Sequence, residues 1–225
     1  MNTSPQKGEA NRKSIIVLRP YKTVLRPAET EFTEKKSRFI GRCFPVSSEA
    51  EAMERLAEVR KLHYDATHNC WAFALSTGEQ RFSDDGEPGG TAGMPIMDTL
   101  IKREIKDALI VVTRYFGGIL LGSGGLVRAY SRSASDALNA AGCGLMAPCD
   151  TMEFAVDYSR YGTVEGFVKQ NAIVDSIEFL ECVRFRVSVP SESAKAFSEA
   201  IVDMTDGRAA PEKTGERFTA VPLTE

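Results

Sequence analysis

Cysteine pairs are missing from this chain. Its five cysteines are odd in number, lie far apart and include no pair separated by two residues. This spacing lacks the features of a disulfide framework or of a paired zinc site. Long apolar runs are missing too, because the run after the polar start, residues 15–18, is far shorter than the roughly 20 residues of a membrane-spanning helix, and no secretory signal precedes it. These absences predict reduced thiols, a cytoplasmic location and no membrane contact.

A strong excess of charge is also lacking. The 225 residues contain 28 Lys and Arg against 31 Asp and Glu, and 43% of them are hydrophobic, which is ordinary for a globular protein. The charge is nevertheless uneven. Residues 1–148 carry 20 basic and 17 acidic side chains, whereas residues 149–225 carry 8 and 14. We expect either different partners for the two parts or a polyanionic partner for the first part alone.

Composition and pattern divide the chain into segments. Residues 1–19 are polar and aperiodic, which predicts a disordered leader. A first domain is expected over residues 20–145, a linker over 146–150 and a second domain over 151–225. In the second domain strands and helices alternate as βαββαβ, the order of a ferredoxin-like fold with two helices on one face of a four-stranded antiparallel sheet. The fold class predicted for the whole chain is α+β.

The first domain opens with a predicted hairpin, whose strands lie on either side of a polar turn at residues 33–36. An amphipathic helix follows, since apolar residues recur at every third position after a serine cap. Residues 107–116 are almost continuously apolar and predict a strand inside a sheet. A helix is expected from about residue 125 to residue 141.

Five glycines separate this strand from this helix: Gly117, Gly118, Gly122, Gly124 and Gly125. A strand, a glycine-rich turn and a helix together expose backbone N–H groups at the positive end of a helix dipole, where anions bind. The known forms of such a site do not match. There is no lysine for a Walker motif, no third glycine for a dinucleotide fold and no glycine two residues before Ser123 for a nucleophile elbow. The pattern predicts an anion site of another kind.

Cationic and aromatic side chains surround the glycines. Arg114 and Tyr115 stand at the exit of the apolar strand, where ligands gather in open sheets, and Arg128 and Arg132 share one face of the helix. A cation in the first turns of a helix opposes the helix dipole unless an anion lies nearby, which favours a bound phosphate. The alternative stays open: Arg132 pairs with Asp136, Arg128 is solvated, and the aromatic side chain belongs to the core.

An acidic loop, residues 83–93, is the other candidate site. Asp84, Asp85 and Glu87 lie close enough in the chain to hold Mg²⁺ or to orient a polar ligand. Equally, Asp-Gly and Glu-Pro-Gly-Gly are turn sequences that need no ligand. His68 stands near other potential zinc ligands, but their spacing is too loose, so a structural histidine is favoured. No metal site and no cofactor are predicted.

Four blocks of the sequence resemble the signature blocks of the IMPACT family: Lys36 to Phe39, residues 66–72, residues 83–95 and residues 111–130. They occur in the family's order. The resemblance implies a first domain with the fold of the second domain of ribosomal protein S-five, and a second domain like the last domain of elongation factor G. It also adds Lys36, Arg38 and His68 to the candidate binding residues.

The resemblance implies a translation-linked or nucleic-acid-binding protein. Eukaryotic relatives restrain an amino-acid-starvation kinase by competing for its activator, and they use an RWD domain to do so. This chain has a short leader in that place, so the activator is not an expected partner. Two hypotheses follow: a non-catalytic regulator that binds RNA, the ribosome or a translation factor through the glycine-rich site, or an enzyme for a small phosphorylated or nucleotide ligand with Mg²⁺ at the acidic loop. No catalytic residue is assigned.

Overall fold

The structure, a computed structural model, describes residues 19–222. The leader predicted over residues 1–19 falls outside the described residues, apart from Arg19. Two antiparallel sheets and five helices make up the described chain, which confirms the predicted α+β class. None of the helices in this part of the chain has the length and apolarity needed to cross a membrane.

The elements follow one another in this order: β1 (Tyr21–Val24), β2 (Ala28–Glu34), β3 (Ser37–Pro45), α1 (Glu49–Leu62), β4 (His68–Ala74), β5 (Gln80–Ser83), α2 (Gly93–Lys102), β6 (Ala108–Tyr115), α3 (Ser123–Ala141), β7 (Cys143–Val156), α4 (Tyr158–Asn171), β8 (Ile173–Phe179), β9 (Val183–Pro190), α5 (Ala194–Met204) and β10 (Glu212–Pro222). Strands β2 to β6 form the first sheet, and the remaining strands form the second.

The first sheet has the antiparallel order β2, β3, β6, β4, β5. The apolar strand β6 lies in its middle, as predicted, paired with β3 and β4, and it is apolar along its length because helices cover both of its faces. On one face, α2 and α3 pack on a core that includes Phe39, Ile110 and Leu138. On the other face, α1 places Leu56 against Leu109. Side chains that alternate along β6 therefore enter two separate cores.

Strands β2 and β3 form the predicted hairpin, whose two-residue turn is Lys35 and Lys36. Both lysines have a positive φ, of 44° and 64°. Two-residue hairpin turns require this conformation, and glycine or asparagine usually supplies it. The lysines are exposed at the outer end of the hairpin. The start of the first predicted strand separates from the hairpin as β1 and joins the second sheet instead.

The second sheet has the order β10, β7, β9, β8, and β1 lies beside the first part of β7. Helices α4 and α5 pack on one face around Phe154, Phe185 and Ile201. This is the ferredoxin-like arrangement that the βαββαβ order predicts. Residues 146–150, where the sequence predicts a linker, lie inside β7. Backbone pairing explains the difference, because β10 follows one edge of this segment while β1 and β9 flank the other.

Helix α3 returns along the first sheet from the end of β6 to the start of β7. Its C-terminal end lies where the two sheets meet, since the Leu25 N–H donates to the Gly142 carbonyl over 3.0 Å. Its 19 residues span roughly 28 Å. The loop that joins β6 to α3, residues 116–122, therefore lies at the end of the first sheet that is farthest from the second.

Candidate functional site

Glu87 and Arg114 form a buried ion pair on the face of the first sheet that α2 and α3 cover. Arg114 Nη1 donates to Glu87 Oε1 over 2.6 Å, and the two side chains are 6% and 3% exposed. The Tyr130 hydroxyl donates to the same oxygen over 2.7 Å. The acidic loop, β6 and α3 thus meet at one carboxylate. Removing one partner of such a pair leaves an uncompensated buried group and is strongly destabilising.

His68 and Cys70 lie on the same face of β4, beside this ion pair. His68 Nδ1 donates to the carbonyl oxygen of Asp85 over 2.8 Å, and its Nε2 lies 3.8 Å from Glu87 Oε2. The Cys70 thiol donates to the carbonyl oxygen of Asp84 over 3.0 Å. Burial raises the pKa of the Cys70 thiol to about 12. The thiol is therefore protonated at neutral pH and unsuited to nucleophilic chemistry.

The Arg114 guanidinium is enclosed by the protein. Its Cζ lies 5.6 Å from the ring centroid of Phe39 and 5.4 Å from that of Phe116, and its Nη2 donates to Ser37 Oγ over 3.3 Å. Among the described residues, its Nε finds no acceptor. The sequence pattern predicts this arginine at the exit of the apolar strand, as part of an anion site. The structure places it in the interior instead, as the ion partner of Glu87.

Asp84 organises the acidic loop. Its Oδ1 accepts hydrogen bonds from the N–H groups of Ala92 and Gly93, over 3.0 and 2.8 Å, and its Oδ2 accepts from Gly90 N–H over 2.9 Å. Gly93 is the first residue of α2, and Ala92 occupies the N-cap position without a side-chain oxygen. The Asp84 carboxylate therefore satisfies backbone donors at the start of this helix that would otherwise lack a partner.

Asp85 has protein partners at both carboxylate oxygens. Oδ1 lies 2.7 Å from Arg60 Nη2, and Oδ2 accepts from the Asn69 N–H over 2.7 Å. With Glu87 bound to Arg114, all three carboxylates of the acidic loop are engaged by the protein. Across residues 19–222, no group of three or more His, Cys, Asp or Glu is placed to hold a metal ion. This geometry supports the interpretation of the loop as a series of turns.

A second polar cluster lies on the opposite face of the first sheet, at the end of α1. The Tyr115 hydroxyl donates to Asp65 Oδ1 over 3.0 Å and accepts from His63 Nδ1 over 2.8 Å. His63 Nε2 in turn accepts from Arg42 Nη2 over 2.6 Å. Burial, and then the positive charge of Arg42, lower the pKa of His63, so this histidine is neutral at pH 7. Sequence reasoning misses Arg42, because only the register of β3 against β6 brings it into this cluster.

The loop at residues 116–122 packs against the turn of the hairpin. The Gly117 N–H donates to Ser37 Oγ over 3.2 Å. A Cβ at position 117 would lie only 2.0 Å from the carbonyl carbon and oxygen of Lys36, so no residue larger than glycine fits there without a backbone shift. This contact fixes the lysine turn beside the loop.

Large apolar side chains are exposed on this loop. Phe116, Ile119 and Leu120 are 46%, 41% and 80% exposed, and Val127, one turn into α3, is 37% exposed. The lysine turn lies on one side of the loop, and the first turns of α3 lie on the other. We define the basic tip as the surface made by Lys35, Lys36, residues 116–122 and Arg128.

Helix α3 begins without a side-chain cap. Gly122 occupies the N-cap position with a φ of 76°, Gly124 and Gly125 lie in the first turn, and no side chain among residues 19–222 caps the helix there. Arg128 is exposed along this turn, and its Nη1 lies 3.6 Å from where a Cβ on Gly124 would be. The remaining predicted glycine, Gly118, is exposed with a φ of 82°.

Two of the predicted arginines are held by neighbouring carboxylates. Arg38 donates to both oxygens of Glu31 over 2.7 Å, and its Cζ lies 5.7 Å from the ring centroid of Tyr115. Arg132 Nε lies 3.5 Å from Asp136 Oδ2. This is the ion pair expected if the arginines of the helix bind no anion. Both side chains are exposed, but each must give up an ion pair before it can meet another anion.

Three cations of the basic tip have no such partner. Within residues 19–222, neither Lys35 nor Lys36 nor Arg128 forms an ion pair. The predicted site residues thus separate into two sets. The first set, beside the Glu87–Arg114 ion pair, is His68, Asp84, Asp85, Glu87 and Arg114; the second, around the hairpin turn and the start of α3, is Lys36, Arg38, Gly117, Gly118, Gly122, Gly124, Gly125, Arg128 and Arg132. Tyr115 belongs to neither set, because it lies in the second polar cluster on the opposite face of the sheet. Sequence reasoning misses Lys35, although it belongs to the same turn as Lys36.

Known proteins are similar in sequence to this chain over most of its length. Residues 35–138 match the Impact N-terminal domain, and residues 154–208 match a domain of unknown function, DUF1949. The IMPACT family member YvyE of Bacillus subtilis is 40% identical over 195 residues, which cover 85% of this chain and 90% of that protein. The IMPACT family member YigZ of Escherichia coli is 34% identical over 179 residues, which cover 77% of this chain and 87% of that protein. A crystal structure of a hypothetical protein, 29% identical, has a TM-score of 0.56 and covers 88% of this chain and 99% of its own. The chain therefore belongs to the IMPACT family.

Proposed function

We propose that the chain is a non-catalytic, translation-linked regulator that binds RNA, the ribosome or a translation factor through the basic tip. Membership of the IMPACT family supports a translation-related role in general. The observation that carries the binding proposal is that Lys35, Lys36 and Arg128 are exposed around the glycine-rich loop and form no ion pair within residues 19–222. Such cations can replace the counterions of a polyanion without first breaking an internal ion pair.

The position of the basic tip supports the same proposal. The tip lies at the end of the first sheet farthest from the second sheet, so a large partner can approach it. The start of α3 adds its uncapped N–H groups and the positive end of a 19-residue helix dipole. The two lysines stand on a turn whose backbone packs against Gly117. This backbone is already ordered, so partner binding does not cost the entropy of ordering it.

Co-sedimentation with purified ribosomes, and gel shift with the RNA extracted from them, test the proposal over a salt series. We expect binding to weaken as salt rises. The double variant Lys36→Gln/Arg128→Gln should bind more weakly, and the slope of log affinity against log salt should fall by roughly 1.5, because each phosphate contact contributes about 0.7 to 0.9. Binding that is absent for ribosomes, for RNA and for purified translation factors alike, or that is insensitive to both salt and these substitutions, contradicts the proposal.

The matched control is Arg184→Gln, which removes an exposed arginine from β9 in the second sheet and should leave the salt dependence unchanged. Arg114 is not a useful position for this experiment. Because its side chain is 6% exposed and paired with Glu87, Arg114→Ala would reduce binding by damaging the fold.

A further inference from the structure

Apolar side chains dominate the outermost part of the basic tip. Leu120 is 80% exposed, and Phe116 and Ile119 in the same loop are 46% and 41% exposed. Single exposed apolar residues are common on protein surfaces, but several large ones on one short loop mark a surface that another molecule covers. Cations that form no ion pair within the described part of the chain flank them, with Lys36 on one side and Arg128 on the other.

RNA would make poor use of these side chains. Unpaired bases bind proteins largely by stacking on aromatic rings. Of the two rings at the end of β6, Phe116 has the Arg114 guanidinium 5.4 Å from its centroid, and Tyr115 has that of Arg38 at 5.7 Å. One face of each ring is therefore already occupied. The two aliphatic side chains of the loop have no π face for a base to stack on.

We infer that the basic tip docks into a protein partner whose surface offers an apolar pocket rimmed by carboxylates. The inference rests on the proposed function and specifies the chemistry of the partner. Leu120 enters the pocket with its two apolar neighbours on the loop, and the lysine turn and Arg128 face the acidic rim. Apolar anchors at the centre and charged groups around them are the usual anatomy of protein interfaces.

Both ends of the loop are held in place before any partner arrives. The Phe116 N–H donates to Thr67 Oγ1 over 3.0 Å, and the Gly117 N–H donates to Ser37 Oγ over 3.2 Å. Ser37 begins β3 and Thr67 directly precedes β4, so the two strands on either side of β6 fix the start of the loop, and the first turn of α3 fixes its end. An anchor that is ordered in advance loses less conformational entropy on binding, which favours a docking role.

Photo-cross-linking from position 120 tests the inference, because this side chain is exposed and its replacement leaves the core intact. The full chain with Leu120 replaced by benzoylphenylalanine is irradiated in a defined mixture of purified ribosomes, transfer RNA and translation factors. We expect an adduct that resists ribonuclease and maps to an acidic segment of a protein. The charge reversal Lys35→Glu/Lys36→Glu should reduce its yield by roughly tenfold. An adduct with RNA, an adduct with a basic protein surface, or no adduct would overturn the inference.

The affinity for the cross-linked protein, once purified, provides the second measurement. Leu120→Met keeps an apolar side chain and should bind normally, whereas Leu120→Asp should weaken binding by roughly thirtyfold, as loss of a central anchor does. Equal binding by the two variants contradicts the inference. If salt-dependent binding to ribosomes or RNA persists without a protein adduct, this inference fails and the proposed function stands; if both are absent, both fail.

Discussion

The Glu87 carboxylate accepts hydrogen bonds from Arg114 and from Tyr130 on one oxygen, and its side chain is only 3% exposed. An isolated charge at this depth costs several kcal/mol, so each ion of the pair is tolerated because the other is present. Arg114, one residue before the end of the apolar strand β6, is thus part of the interior. Its residue type suggests anion binding, but its register on β6 directs it toward Glu87.

Arg114→Met should therefore lower the free energy of unfolding by roughly 3 to 5 kcal/mol, because it leaves the Glu87 carboxylate buried without its cation. The double variant Arg114→Met/Glu87→Gln, which removes both charges and keeps an acceptor for the buried Tyr130 hydroxyl, should recover most of this loss. Urea denaturation of the two variants and of the unchanged chain measures the difference. If the single variant keeps its stability and loses RNA binding instead, Arg114 is a ligand contact rather than a structural residue.

At the scale of elements, the β2–β3 hairpin and the loop after β6 form one unit. Their contact is between backbones, since Gly117 lies against the peptide that joins Lys36 to Ser37. The hairpin turn carries the lysines, and the loop carries the exposed apolar side chains. Neither element by itself makes the basic tip, and the glycine at position 117 is what lets them approach each other.

Gly117→Ala should separate these two elements. The added Cβ would lie 2.0 Å from backbone atoms of Lys36, which cannot move away as the end of a flexible side chain can, so we expect a loss of roughly 1 to 3 kcal/mol of stability or more. Gly89→Ala is the control, because no atom lies within 4 Å of its Cβ position and its φ is not positive. Thermal unfolding compares the variants. Equal melting temperatures would show that the hairpin and the loop do not depend on this contact.

At the scale of the whole molecule, the short strand β1 connects the two sheets. Its backbone pairs with residues 143–146 of β7, in the second sheet. Its Val24 side chain is 2% exposed and packs in the core of the first sheet. The Lys106 N–H, which precedes β6, donates to the Lys22 carbonyl over 2.9 Å. Strand β1 thus pairs its backbone with the second sheet while its Val24 side chain packs in the core of the first sheet.

Val24→Ala should weaken the first core by roughly 2 kcal/mol, for the two carbons removed and the cavity left behind. Because Val24 lies on β1, hydrogen exchange should also accelerate at residues 143–146. Val112→Ala is the control: its side chain is fully buried in the same core as Val24 but lies on β6, so exchange at residues 143–146 should stay unchanged. Unchanged exchange at residues 143–146 in the Val24 variant contradicts a coupling role for β1.

The sequence predicts the elements better than the site. The internal position of β6, the helix after the glycines, the hairpin and the ferredoxin-like order are confirmed, because each depends on residues that lie close together in the chain or on the period of the hydrophobic pattern. The family resemblance is confirmed as well. The separate course of β1 and the long strand β7 are not foreseen, because strand pairing between distant segments has no local signal. The binding role of the site residues stays a prediction.

Arg114 and Arg128 mark the boundary between the two kinds of information. Both are arginines beside the same glycines, and the amino-acid sequence by itself determines that cations, glycines and apolar residues occur together on a strand–loop–helix unit of the IMPACT family. Only the tertiary structure decides that Arg114 is buried against Glu87 and that Arg128 is exposed without an ion pair among the described residues. The physical reason is that burial depends on which segments pack on a side chain. Strand β6 has a neighbour on each side and on each face, whereas the first turn of α3 stands at the open end of the sheet.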